Sequence, residues 1–219
     1  GYRASGQSCN RSQELIDQPR PGMIWTPRNE PAFHTSLGLQ ALCRRIQDVG
    51  ACDILELGPV RNRNLDFWSR FQPSIYIADL RSSLPLPDSG AAEEAEPEPD
   101  WGQILGLPER TYNVILAWDL LNYLDISSVS SLARHLARFC GPEALLFAMI
   151  YDQKQMPDQI TVYKIADESH LEYENGSTAT RLCPRHQPRT LAAAMPGFSP
   201  DESFRMKNGI VEYLFRYAP

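Results

Sequence analysis

The sequence predicts an α/β domain built on a mostly parallel sheet that finishes in an antiparallel hairpin. Three observations predict it. Four short, almost wholly apolar runs recur along the chain (Asp53–Leu57, Ser74–Asp79, Tyr112–Trp118 and Ala144–Tyr151), as strands buried on both faces of a parallel sheet require. Strand, turn, helix and strand fit between residues 53 and 79, the length of a βαβ unit with its right-handed crossover. Asn208-Gly209 then separates Ser203–Lys207 from Ile210–Tyr217. That dipeptide between two strand-like runs is the strongest short-range hairpin marker, since a two-residue hairpin turn of this kind needs positive φ at both positions.

In chain order, residues 1–34 read as an irregular arm punctuated by Pro19, Pro21, Pro27 and Pro31, with one short helix near Ser12–Asp17. Residues 35–219 read as a single domain. Leu39, Leu42, Cys43 and Ile46 fall at i, i+3, i+4 and i+7, the stripe of an amphipathic helix stopped by Gly50. Asn64 is placed to cap a second helix carrying Leu65, Phe67, Trp68 and Phe71, which Pro73 ends. Residues 81–100 are rich in Pro, Ser, Glu and Ala and read as an acidic surface loop. The clearest helix has Ser127 or Ser128 as its cap. Val129, Leu132, Ala133, Leu136 and Cys140 form its stripe, and Gly141-Pro142 is its stop. Beyond the fourth strand, residues 152–189 read as an insertion. Within it Ile160–Ile165 and Leu171–Tyr173 pair as a small hairpin, and a helix near Thr190–Met195 follows.

Charge and cysteine usage exclude several functions. Asp88, Glu93, Glu94, Glu96, Glu98 and Asp100 carry the whole net charge of −6, which leaves 21 acids against 21 bases elsewhere. A body so balanced lacks the basic excess that phosphate contacts demand, so no nucleic-acid partner is expected. The longest apolar run, Ala144–Tyr151, is too short to span a bilayer, so no membrane partner is expected either. With no signal-peptide pattern at the start, a cytoplasmic location is expected. Five cysteines, an odd number without CxxC spacing, suggest neither a disulfide framework nor a metal site.

Open parallel sheets bind ligands beyond the carboxyl ends of their strands. Glu56 and Gly58 follow the first predicted strand, Asp79 the second and Asp119 the third. The 23 residues from Glu56 to Asp79 approximate the spacing at which an acid meets a ribose, whose vicinal hydroxyls a carboxylate can accept together.

Ile54-Leu-Glu-Leu-Gly-Pro59, the strand-end Asp79, the segment Tyr112–Tyr123 and the closing hairpin together resemble a class I S-adenosylmethionine-dependent methyltransferase. The resemblance covers roughly residues 35–152 and 190–217. It implies a Rossmann-like three-layer sandwich with a seven-stranded sheet and S-adenosylmethionine as cofactor. By that resemblance Glu56 and Gly58 lie near the methionine end and Asp79, with Leu80 beside it, binds the ribose. Gln103 and Ile104 hold the adenine, and Asp119 and Leu120 border the methyl group. The family's first motif often carries three alternate glycines. Here only Gly58 remains, with Val60 and Asn62 in the other two places. Methyl transfer from an activated sulfonium asks chiefly for alignment, so no catalytic residue is named. A small-molecule acceptor is implied, with Asn122, Tyr123 and Tyr151 as its contacts and residues 152–189 as its cover. The alternative is a catalytically inactive methyltransferase-like protein acting as a binding or scaffolding module, with a protein partner or a second copy of itself.

Overall fold

In the computed structural model, residues 32–49, 52–81, 98–174 and 179–219 are described. The helix expected near Ser12–Asp17 and most of the acidic loop lie outside them. The described residues are organised around one six-stranded sheet, β10-β11-β5-β4-β2-β3. Its strands are β2 (Asp53–Glu56), β3 (Ser74–Ile77), β4 (Tyr112–Trp118), β5 (Cys140–Tyr151), β10 (Phe198–Arg205) and β11 (Ile210–Tyr217). β3, β2, β4 and β5 run parallel, whereas β11 runs antiparallel to β5 and to β10. Seven strands were expected, and among the described residues the sheet has six. α3 (Trp101–Leu105) follows the acidic segment and precedes β4.

The parallel strands form where their side chains can be buried on both faces. Ile54, Leu55, Ile115, Leu116 and Phe147 are all fully buried. α1 (Leu37–Val49) packs across β5, β10 and β11 through Leu39, Leu42, Cys43 and Ile46, none more than 2% exposed. Its start is capped twice. Ser36 Oγ accepts from Leu39 N at 3.0 Å, and the buried Glu212 of β11 accepts from Gly38 N at 2.7 Å. A carboxylate at a helix N-terminus meets the positive end of the helix dipole. Gly38 is needed for proximity, because a Cβ there would sit 2.7 Å from the Phe147 ring.

Four local expectations are corrected. α4 (Ile126–Ala137) is capped by Asp125, whose carboxylate accepts from Ser128 N at 2.7 Å; a carboxylate one residue before the helix displaces the serine hydroxyls from that role. The same helix ends before Gly141-Pro142, which lie inside β5. There an irregularity between the Tyr112–Cys140 and Val114–Leu145 pairs absorbs them, and Glu143 takes φ 60°. α2 (Asn62–Ser69) starts three residues earlier than expected, with Arg61 as its N-cap residue, which frees Asn64 for another task. The turn between β10 and β11 also differs from a two-residue one. Gly209 N donates to Met206 O and Gly209 alone is left-handed, at φ 78°. A type I turn followed by a glycine bulge needs just one positive φ.

The insertion forms two small sheets. β1 (Ala32–Thr35), β8 (His170–Glu174) and β7 (Val162–Asp167) make an antiparallel sheet in the order β1-β8-β7, and β6 (Gln155–Pro157) pairs with β9 (Thr180–Leu182). The first of these includes three residues, Ala32 to His34, that the sequence assigns to the arm. α3 packs on α4, and α5 (Pro188–Ala193) on β10. No helix among the described residues is long and apolar enough to cross a membrane, and none of their His, Cys, Asp and Glu side chains form a group of three suited to a metal.

Candidate functional site

The strand order reverses between β2 and β4. From β2 the chain crosses to β3 on one side, then returns past β2 to β4 on the other. Open α/β sheets hold ligands at such a reversal, in the crevice beyond the carboxyl ends of the two strands. Glu56 ends β2 and Trp118 ends β4, with Asp119 next in sequence.

Glu56 is 1% exposed. Its Oε1 accepts from Gly58 N at 2.9 Å and from Trp118 Nε1 at 2.6 Å. Burial, with a smaller push from Asp79, raises its pKa to about 8 against the pull of these two donors. The carboxyl therefore holds its proton through neutral pH. Trp118 reaches it because the β4–β5 ladder slips between Leu116 and Trp118, and Trp118 adopts φ 48°. A bulky residue in the left-handed region costs on the order of 1–2 kcal/mol, so the surrounding contacts must hold it there. Those contacts are visible. The indole stacks on Tyr163 of β7, with centroids 5.3 Å apart and planes at 15°, and meets the Phe147 ring edge-on. Gly58 lies directly against it, since a Cβ on Gly58 would stand 2.8 Å from Trp118 Cδ1.

Asp119 is fully buried. Its Oδ2 accepts from Thr161 N at 3.1 Å and from the Tyr151 hydroxyl at 3.2 Å, while Oδ1 is buried without a hydrogen-bond partner. Burial raises its pKa to about 6 despite those donors. The same burial, with the nearby Asp119 charge, pushes the Tyr151 and Tyr163 phenols well above their usual range. Leu120 is buried in the 3₁₀ turn Leu120–Tyr123 that follows. Asn122, read from sequence as facing an acceptor, has its amide committed to holding that turn against β5. Nδ2 donates to Asp119 O and Met149 O, and Oδ1 accepts from Tyr151 N. Tyr123 is likewise buried, and its hydroxyl donates to Gln159 O between β6 and β7.

Asp79 is half-buried past the end of β3 and accepts from Arg81 N at 3.0 Å. Leu80 beside it is buried, and its N–H donates to Leu57 O. Arg81 in turn donates to Gln159, which precedes β7. Gln103 is exposed and Ile104 half-buried on α3, the helix that packs on α4. Arg61 is exposed, and Arg63 pairs outward with Glu172 at 2.8 Å. Neither arginine carries the contact to Glu56; that falls to Trp118.

Two residues of this region were not foreseen as functional. Asn64 is 1% exposed, and its amide bonds Tyr163 O at 3.0 Å and Ile165 N at 2.9 Å. It thereby gives the outer edge of β7 the donor and acceptor that a neighbouring strand would supply. His34 donates from Nε2 to Glu212 Oε1 at 2.9 Å, and its Nδ1 accepts from Asn208. With Tyr151, Tyr163 and Tyr173 it lines a cavity of about 30 Å³, room for a single water. A lone amide at a helix start and a lone histidine before a helix carry no spacing signal that could have revealed either.

No family model and no curated protein matches the chain. Solved structures do. The chain is similar to the 1,6-didemethyltoxoflavin-N1-methyltransferase of Burkholderia thailandensis, at 16% identity and a TM-score of 0.45 over 84% of this chain and 78% of that one. It is also similar to the CcbJ methyltransferase of Streptomyces caelestis, at 13% identity and a TM-score of 0.46 over 88% and 91% of the two chains. A third is the glycopeptide N-methyltransferase MtfA, at 12% identity and a TM-score of 0.42 over 84% and 91%.

Proposed function

We propose that the protein is an S-adenosylmethionine-dependent methyltransferase of the class I type acting on a small-molecule acceptor. One observation carries the reading. Glu56, Asp79 and Asp119 stand at or just past the ends of β2, β3 and β4, three adjacent parallel strands flanking the reversal of strand order. The chemistry of this set fits the cofactor. Asp79 offers a carboxylate to vicinal hydroxyls, and Glu56, whose ionised form an approaching ammonium would favour, an acceptor to that ammonium. Asp119 keeps a buried oxygen that no protein donor satisfies, a deficit that a ligand's N–H or O–H removes. Gly58 and Leu80 supply close backbone and an apolar wall.

The bound cofactor contributes a methyl group already activated as part of a sulfonium. The protein's work is then to orient and to exclude water. The cover does the second, since β7 is tied down by Asn64 and the segment before it by Tyr123 and Arg81. Tyr151 and Thr161 hold Asp119 in place from the strand and cover sides. A non-catalytic binding module is the second reading, and one observation favours it: the Trp118 indole lies across the crevice between Gly58 and Tyr163.

Calorimetric titration with S-adenosylmethionine and S-adenosylhomocysteine tests the proposal. Micromolar binding that Asp79→Ala weakens at least tenfold, about 1.4 kcal/mol, supports a cofactor site. Absence of binding at millimolar ligand in folded protein excludes the enzyme reading and leaves the module.

A further inference from the structure

We infer that Trp118 is a gate: its indole closes the crevice from within by serving as Glu56's hydrogen-bond donor, and it must leave before a ligand can take that place. This rests on the cofactor reading above. Four observations argue for it together. The indole N–H meets Glu56 Oε1 at 2.6 Å, the same oxygen that accepts from Gly58 N, so a ligand's ammonium approaching that oxygen meets an occupied acceptor. The ring lies so close to Gly58 that not even a methyl group fits between them. Nothing can reach the Gly58 backbone from that side while the ring is there. The residue is held at φ 48°, a backbone state unusual for tryptophan, at the point where the β4–β5 ladder slips. A strained residue on a slipped strand end has a lower-energy backbone available once its contacts release. Finally, the ring stacks on Tyr163, which belongs to the cover and not to the sheet.

That last contact makes the gate two-sided. Tyr163 is anchored through its own carbonyl to Asn64 on α2, and its phenol lies among Tyr151 and Asp119 beneath the cover. A molecule that lifts or shifts β7 removes the ring against which Trp118 stacks. A molecule that displaces Trp118 from Glu56 loosens Tyr163. Occupation of the cover side and of the crevice are thus coupled through one ring pair, and each ligand favours the open arrangement needed by the other.

The test uses the full chain and S-adenosylhomocysteine as probe, titrated calorimetrically into wild type, Trp118→Phe, Tyr163→Leu and Asp79→Ala, each checked for cooperative unfolding. Phenylalanine keeps an aromatic ring but has no N–H to give Glu56, so the closed arrangement weakens. The apparent affinity of a ligand scales with the fraction of protein already open, and Trp118→Phe is expected to bind at least threefold more tightly than wild type. Tyr163→Leu, which removes the stack while leaving Glu56 and Trp118 in place, is expected to tighten binding in the same direction. The conservative Trp118→Phe keeps the test usable should Tyr163→Leu fail to fold. In wild type the association rate, followed by tryptophan fluorescence, levels off at high ligand as opening becomes limiting. Binding to Trp118→Phe that equals or falls below wild type overturns the gate and makes the indole a wall of the pocket, with the cofactor reading intact. Absence of binding to wild type and Trp118→Phe alike, both folded, overturns the cofactor reading and the gate with it.

Discussion

Replacing Glu56 by Gln isolates the energetic effect of its buried carboxyl. The amide oxygen of glutamine still accepts from Gly58 N and Trp118 Nε1, so the two hydrogen bonds persist. What disappears is titration. In the fold the carboxyl releases its proton near pH 8, against 4.5 in the unfolded chain. Between those values the folded state holds a proton that the unfolded state has lost, so stability falls as pH rises through the window. At about 1.4 kcal/mol per unit of pKa, wild type loses on the order of 4 kcal/mol from this group between pH 4.5 and 8. Urea unfolding at pH 5, 6.5 and 8 measures it. The two proteins should be similar at pH 5, and Glu56→Gln should be more stable by several kcal/mol at pH 8. Asp119, raised to about 6, adds a slope common to both and drops out of the difference. Parallel stability curves for the two proteins would refute the reasoning, because they would mean that Glu56 is ionised in the folded state at neutral pH.

Other substitutions probe the scaffold around the site. Asn64→Ala leaves Tyr163 O and Ile165 N buried without partners and should cost about 2–4 kcal/mol; loss of amide-exchange protection at Ile165 reports it directly. Gly58→Ala drives a Cβ to 2.8 Å from the Trp118 ring and should destabilise by about 1–3 kcal/mol through overpacking, measured by thermal or urea unfolding. Glu212→Ala strips Gly38 N and His34 Nε2 of their shared partner and should cost about 2–4 kcal/mol for two buried donors left unsatisfied, by the same assay. Asp125→Ala removes the α4 cap and should cost about 1 kcal/mol, a small effect that serves as an exposed control.

The parallel part of the sheet was legible because burial on both faces writes a continuous apolar run. Ile54-Leu55 and Val114–Ala117 can scarcely lie anywhere else. The helices of clear period, α1 and α4, were legible for the same reason, with errors confined to their ends. At those ends, choices between neighbours such as Asp125 and Ser127 turn on geometry that composition does not encode. The placement of Glu56, Asp79 and Asp119 at strand ends followed from the sheet. What fills the crevice did not. Trp118 reads as one more apolar residue of a strand, and the slip in the β4–β5 ladder that turns its indole toward Glu56 depends on β5, about 30 residues later in the chain. Asn64 and Glu212 were hidden for a related reason. Their partners, Tyr163, Ile165 and His34, lie roughly 100 to 180 residues away, and single polar residues carry no period.

Chain order and spatial order disagree in one respect that bears on synthesis. β11 is made after every other described strand, yet it lies inside the sheet between β5 and β10 and not at its rim. A nascent chain that has not yet emitted residues 210–217 therefore presents the whole flank of β5, including Leu145–Tyr151, as an unpaired hydrophobic edge, and leaves His34 and the start of α1 without Glu212. Unpaired edges of this kind recruit other chains. Products that stop before residue 210 should for that reason partition into aggregates or onto holding chaperones, and solubility in a host cell should respond to how quickly translation passes through residues 210–217.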